Sequence, residues 1–98
     1  MKTTCVWDER KARTNRRQHG VSFRAAAGVF DDANSVEFID REHSTEEETR
    51  YARIGLSGAR LLYMVYTEVS TDVVRIIHAR RANKRMEMIY EGKEDPEI

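Results

Sequence analysis

Apolar and polar positions alternate with a period of two through the second half of the chain. The runs "VEFID" (36–40), "RYARIGLS" (50–57), "RLLYMVYTEV" (60–69) and "DVVRIIHAR" (72–80) are rich in β-branched and aromatic residues and read as four strands. The breakers "SGA" and "ST" between the last three are short enough for antiparallel hairpins. The first half follows a helical rhythm after one short strand, "KTTCVW" (2–7). Asp8 is a good N-cap, Glu9 suits the positive end of the helix dipole, and "ERKARTNRRQH" runs to Gly20, a left-handed terminator. This helix has almost no apolar stripe, so Ala12 and the flanking Trp7 and Val21 are left to pack it. Ser22 caps a second helix, "FRAAAGVF", whose Phe23, Ala26, Ala27 and Phe30 form a core-facing stripe before "DDANS" ends it. Asn83 caps a third, "KRMEMIYE", which ends at Gly92.

The expected architecture is therefore α+β: two N-terminal helices, a four-stranded, mainly antiparallel sheet plus a short N-terminal strand, and a C-terminal helix. The helices are expected to cover one face of the sheet and leave the other for a partner or substrate. Residues 1–92 form one domain, and "KEDPEI" (93–98) is a frayed tail.

Composition narrows the function without naming it. The 98 residues carry 17 basic and 17 acidic side chains, so bulk charge selects no partner and only the distribution of charge counts. Cys5 is the sole cysteine, which excludes an internal disulfide and a multi-cysteine zinc site; it reads as a small apolar strand residue. No signal-peptide or membrane-spanning run is apparent, and a reducing cytoplasmic setting without a membrane partner is expected.

The charge is unevenly placed where the last strand meets the last helix. Arg75, His78, Arg80, Arg81, Lys84 and Arg85 crowd together there. With a tight turn at Ser70 and Thr71, residues whose numbers sum to 141 face each other, so Tyr63 lies opposite His78 and Leu61 opposite Arg80. Tyr66 then lies opposite Arg75 on the other face. A tyrosine, a histidine and an arginine on one face suit phosphodiester cleavage by an RNA's own 2′-hydroxyl. That reaction needs a base, cations for the phosphorane, and an acid for the departing oxygen. His78 titrates near neutrality, Arg80 offers a two-pronged phosphate grip, and Tyr63 or Tyr66 offers a base platform or a proton. Taken alone, the same cations also fit a solvated basic rim or a protein-binding surface.

The stretches "VWDERKARTNRRQHGVSFRAAAGVFDD", "HSTEEETRYARIGLS" and "VVRIIHARRANKR…YE" resemble the BrnT toxins of bacterial type II toxin–antitoxin pairs, compact relatives of the RelE-like ribonucleases. The resemblance covers nearly the whole chain, in order. It implies a RelE-like fold and a ribonuclease that halts translation, acting on RNA either free or on the ribosome. It also implies a cognate ribbon-helix-helix antitoxin through which the pair binds operator DNA and represses its own operon. The matching positions are Arg75, Ala79, Arg80, Ala82, Lys84, Arg85 and Tyr90. Family sites of lysine, arginine and tyrosine put Lys84 beside His78, Arg80 and Tyr63 as a catalytic candidate. Arg53, Arg75, Arg81 and Arg85 are assigned to the RNA backbone. The resemblance implies neither metal nor cofactor. Two positions depart from the pattern: His78 stands where a small residue is common, and Met86 where glutamate is common. Glu87 is no replacement, because one residue along a helix turns a side chain by about 100°.

Other residues carry milder readings. His19 suits the negative end of its helix dipole. His43 offers a metal ligand with Glu46 or Glu47, or simply a solvated turn. Glu46, Glu47 and Glu48 are an acidic surface for a basic antitoxin segment or a solvated run. The basic helix 10–17 is an RNA contact, an antitoxin dock or a solvated helix. Three functions remain open: a ribonuclease toxin, a catalytically inactive module that binds only its antitoxin, and a direct nucleic-acid binder. The last is disfavoured because no helix-turn-helix spacing is apparent.

Overall fold

Each helix begins at the polar residue that the sequence provides for it. In the computed structural model, which describes residues 2–96, the carboxylate of Asp8 accepts from the N–H groups of Arg10 and Lys11 at 2.8 and 3.1 Å. Ser22 accepts from Ala25 at 3.0 Å, and Asn83 from Met86 at 2.9 Å. These caps satisfy backbone donors that a first helical turn leaves open. They start α1 (Glu9–His19), α2 (Phe23–Ala27) and α3 (Lys84–Tyr90). Gly20, at φ 69°, closes α1 by donating its N–H to the Arg16 carbonyl at 2.9 Å. The second helix is shorter than its stripe predicts. After Ala27 it tightens into a 3₁₀ turn, Gly28–Asp31, that buries Val29.

The strands are β1 (Thr4–Val6), β2 (Val36–Ile39), β3 (Tyr51–Ser57), β4 (Arg60–Ser70) and β5 (Val73–Arg81). They form one five-stranded sheet in the order β1-β5-β4-β3-β2. The short N-terminal strand, expected beside a four-stranded, mainly antiparallel sheet, is a full member of it, so the sheet has five strands and is mixed. β1 joins the edge beside β5 and runs parallel to it, with Thr4 opposite Val73 and Val6 opposite Arg75.

One face is the main core. Val21, Phe23, Ala26 and Val29 from the helical layer pack against Leu62, Met64, Tyr66, Val74, Ile76 and Ala79. Contrary to expectation, the helices do not all lie there. α3 packs against β3, and its Met86 and Ile89 share a groove with Phe38, Tyr63 and Arg80, which belong to the opposite face. That face is thus half covered, and the open half belongs to β4 and β5.

α1 fastens to β5 through a polar residue. Asn15 is buried, 5% exposed, and its amide donates to the carbonyls of Ala79 (2.8 Å) and Val21 (3.0 Å) while accepting from the Ala79 N–H at 3.1 Å. β1 reaches only as far as Arg75, so Asn15 supplies a strand-like partner where the edge of β5 would otherwise stand bare. Beyond α3, Lys93 donates its N–H to Met88 at 2.8 Å and Glu94 pairs with Arg85 at 3.3 Å. Glu97 and Ile98, the end of the tail expected to fray, lie outside the described residues. Among the described residues no helix is long and apolar enough to cross a membrane.

Candidate active site

The register of β4 and β5 decides which side chains share the open half-face. The turn sits one residue later than expected, at Thr71 and Asp72, closed by Ser70 opposite Val73. Asp72 takes the left-handed conformation, φ 61°, that this tight turn requires. Val69 and then Ile77 drop out of the ladder as bulges. Tyr63 consequently faces Arg80, and His78 faces Val65, which corrects the expected pairing of Tyr63 with His78. The displacement amounts to two positions, so the side chains keep their face.

Tyr63, Val65, Ile77, His78 and Arg80 line a cleft of about 380 Å³, joined by Asp40, His43 and Arg50. The Arg80 guanidinium stacks over the Tyr63 ring at 5.2 Å, and the Tyr63 and His78 rings lie 6.4 Å apart, edge to face. His19, at the end of α1, meets His78 edge-on at 4.9 Å. Its place at the helix terminus agrees with the dipole reading, and its contact with His78 adds a second role.

The loop between β2 and β3 contributes the far wall. Ser44 ties its two ends together, with its hydroxyl 2.6 Å from the Asp40 carbonyl and accepting from the Arg50 N–H at 2.9 Å. Asp40 is buried, 8% exposed, and accepts from the His43 backbone at 3.3 Å. Its carboxylate also meets His43 Nδ1 at 2.8 Å. That contact fixes the imidazole tautomer and leaves Nε2 as the other reactive nitrogen. His43 therefore partners Asp40, not Glu46 or Glu47. No three His, Cys, Asp or Glu side chains converge as metal ligands among the described residues.

The cleft sets different electrostatics for its groups. Burial holds the His78 pKa below the ordinary 6.5, aided by His19, Arg80 and His43 and opposed by Asp40. Burial pushes the Tyr63 phenol up, with Asp40 adding to the effect and Arg80 working against it. His78 thus favours its neutral form, and Tyr63 keeps its proton. Replacing His19 with alanine removes a neighbouring positive charge and opens His78 to water, and both changes raise the His78 pKa. An NMR titration of the His78 ring should show an upward move in H19A, and an unchanged midpoint would contradict this account. The same asymmetry makes His78 stabilise the fold above pH 6.5, a contribution lost as pH falls through the lower folded-state value.

The remaining predicted site residues spread out. Arg85 lines the adjoining groove with Met86, Arg80 and Tyr63. Arg75 and Lys84 are exposed and line neither this cleft nor that groove. Arg81 pairs with Leu62 and so belongs to the helix-covered side. Arg53 lies on that side too, donating to Tyr66 at 3.2 Å, Ser35 at 2.8 Å and Glu37 at 3.1 Å, and resting 5.0 Å from the Phe30 ring. These intramolecular bonds hold it on the helix side, away from the cleft. Tyr66 is 1% exposed, with its hydroxyl on Glu37 and its pKa raised by burial, so it offers no base platform. Cys5 packs partly against the core, and burial raises its thiol pKa, as befits an inert strand residue.

Asp40 and Arg50 were not singled out in the sequence, although a signal existed for the first. The alternation of "VEFID", followed to its last residue just past β2, puts Asp40 on the face of Val36 and Phe38, which is the face of the cleft.

Comparison with known proteins bears on the fold and the family. The family model described as "Ribonuclease toxin, BrnT, of type II toxin-antitoxin system" matches residues 7–85. No curated protein matches the chain. Among solved structures, the crystal structure of the Brucella abortus ribonuclease toxin BrnT superposes with a TM-score of 0.63. It covers 85% of this chain and 100% of its own, at 20% identity, a likeness of fold. With the family model spanning most of its length, the chain belongs to the BrnT family of ribonuclease toxins of type II toxin–antitoxin systems.

Proposed function

We propose that the protein cleaves single-stranded RNA in the His78–Arg80–Tyr63 cleft without a metal ion, by in-line attack of a 2′-hydroxyl on its neighbouring phosphate. The observation that carries this reading is the meeting of two imidazoles, two guanidiniums and one phenol around a single cleft. Neutral His78 takes the 2′-hydroxyl proton as the bond from O2′ to phosphorus forms. Arg80, oriented by the Tyr63 ring beneath it, stabilises the charge gathering on the non-bridging oxygens. The bond from phosphorus to O5′ breaks, and His43, backed by Asp40, returns a proton to that oxygen. The products are a 2′,3′-cyclic phosphate and a 5′-hydroxyl. Lys84, Arg75 and Arg85 serve flanking phosphates.

Family membership supports a wider setting, which we propose with it. A RelE-like toxin domain over residues 1–92 would cut RNA in the cytoplasm, free or on the ribosome, and so stop translation. A ribbon-helix-helix antitoxin would neutralise it and carry the pair to operator DNA. One observation favours an alternative, a catalytically inactive module that binds only its antitoxin. Met86 stands in the groove wall beside Tyr63 and Arg80, at the position where the resemblance to BrnT toxins implies glutamate.

Incubating the purified protein with RNA in excess EDTA distinguishes these readings. Fragments ending in cyclic phosphate are expected, with kcat/KM falling as pH drops through a His78 pKa below 6.5. Intact RNA at every pH, together with tight capture of the antitoxin, would leave only the inactive module.

A further inference from the structure

α1 carries Arg10, Lys11, Arg13, Arg16 and Arg17, all exposed, and none has an ion-pair partner among the described residues. On a chain of zero net charge, such a concentration of unneutralised cations on one short helix is a local field that bulk composition conceals. Four of the five divide between two flanks of the helix. Arg13 and Arg16 face a hollow beside Trp7 and Phe23. Arg10 and Lys11 face a groove of about 250 Å³, with Thr14 and Gln18 along the same side. The opposite wall of that groove is Ile77 and His78, the same two residues that wall the catalytic cleft.

The two depressions therefore meet at the β5 bulge. Extra residue Ile77 breaks the ladder there, and His78 stands between them with His19 against its ring. A strand leaving the cleft past His78 enters a channel lined by two cations, a hydroxyl and the amides of Asn15 and Gln18, with no carboxylate among its lining residues. Cations with hydrogen-bonding side chains are what a sugar–phosphate backbone requires of a protein surface. An amphipathic protein segment would need apolar anchors, and Ile77 is the sole large aliphatic side chain lining this groove.

We infer that the groove between α1 and β5 is a second RNA-backbone subsite, in which Arg10 and Lys11 hold phosphates of the same strand whose cleaved linkage lies beyond His78. The inference rests on the cleft acting on RNA. It assigns α1 a role in holding the strand and leaves the bond-breaking groups unchanged.

The test compares two uncleavable 2′-O-methyl RNAs, a dinucleotide that fills only the cleft and a single strand long enough to run through both depressions. Affinities are measured across a salt series for the wild type, the double variant Arg10→Ala/Lys11→Ala and the opposite-flank variant Arg13→Ala/Arg16→Ala. The caps of α1 are backbone contacts to Asp8, so the first variant keeps them. It should bind the longer strand about tenfold more weakly at low salt, with a salt slope shallower by about 1.4 for two lost phosphate contacts. Its dinucleotide affinity should stay the same, and the opposite-flank variant should match wild type on both ligands. Equal losses on both lengths, or equal losses in the two variants, would reduce the effect to diffuse charge and overturn the subsite. Unchanged RNA affinity with weakened antitoxin binding would hand the groove to the antitoxin. Wild type that cuts RNA while its double variant binds the long strand normally overturns the subsite alone. Wild type that neither binds nor cuts RNA overturns the cleft as well.

Discussion

Arg80→Ala is expected to lower kcat/KM for RNA cleavage by about 10²–10³-fold while leaving thermal stability nearly unchanged. The guanidinium is half-buried and stacked on Tyr63, yet it has no ion-pair partner among the described residues. A charge held from water without a protein counter-ion is costly unless a ligand supplies one. Its removal leaves no orphaned carboxylate behind, so folding is insensitive while the transition state loses its main anion clamp. Arg80→Lys keeps the charge and loses the planar fork and its stacking, and should recover only part of the rate. Steady-state cleavage and thermal melting of the three proteins decide the matter. An alanine variant within threefold of wild type would remove Arg80 from the chemistry.

Asn15→Ala is expected to cost about 3 kcal/mol of stability, which for a domain of this size lowers Tm by roughly 10–20 °C. Three hydrogen bonds disappear, and the Ala79 N–H, the Ala79 carbonyl and the Val21 carbonyl lose their buried partner. Asn15→Asp should also be severe near neutrality, because a carboxylate accepts from Ala79 but faces two carbonyls that need a donor. Ala79 sits between His78 and Arg80, so both variants should also lose cleavage at temperatures where wild type is fully folded. Denaturant melts settle it: a loss under 1 kcal/mol would show that water replaces the amide easily and that α1 is held by its apolar flanks.

The local signals in the sequence were sufficient for the elements. Asp8, Ser22 and Asn83 cap where their spacing predicts, because a cap depends on three or four neighbouring residues. Side-chain face was legible for Tyr63, His78 and Arg80, where the register moves by two. Between the bulges it moves by one, so Arg75 faces Thr67 and not Tyr66, on the face opposite to the expected one. Register itself was not, because no feature near Val69 or Ile77 marks either as the residue that leaves the ladder. Asn15 was hidden for a different reason. Amid arginines it reads as one more solvated polar residue, and its partner Ala79 lies at the other end of the chain. The crossing of α3 to the second face was likewise tertiary: its apolar residues indicate that it packs, without indicating against which side.

The parallel pairing of β1 with β5 orders events during synthesis. Thr4 emerges first from the ribosome, yet its partner Val73 is made only when three-quarters of the chain exists. α1 must wait longer still for Ala79. The N-terminal segment therefore travels unanchored while the hairpins assemble, and the arginine and imidazoles assemble around their cleft at nearly the last moment. A truncated nascent product carries the cationic helix without the means to cut. On the proposed mechanism, cutting waits until Arg80 has been made and β5 has joined the sheet.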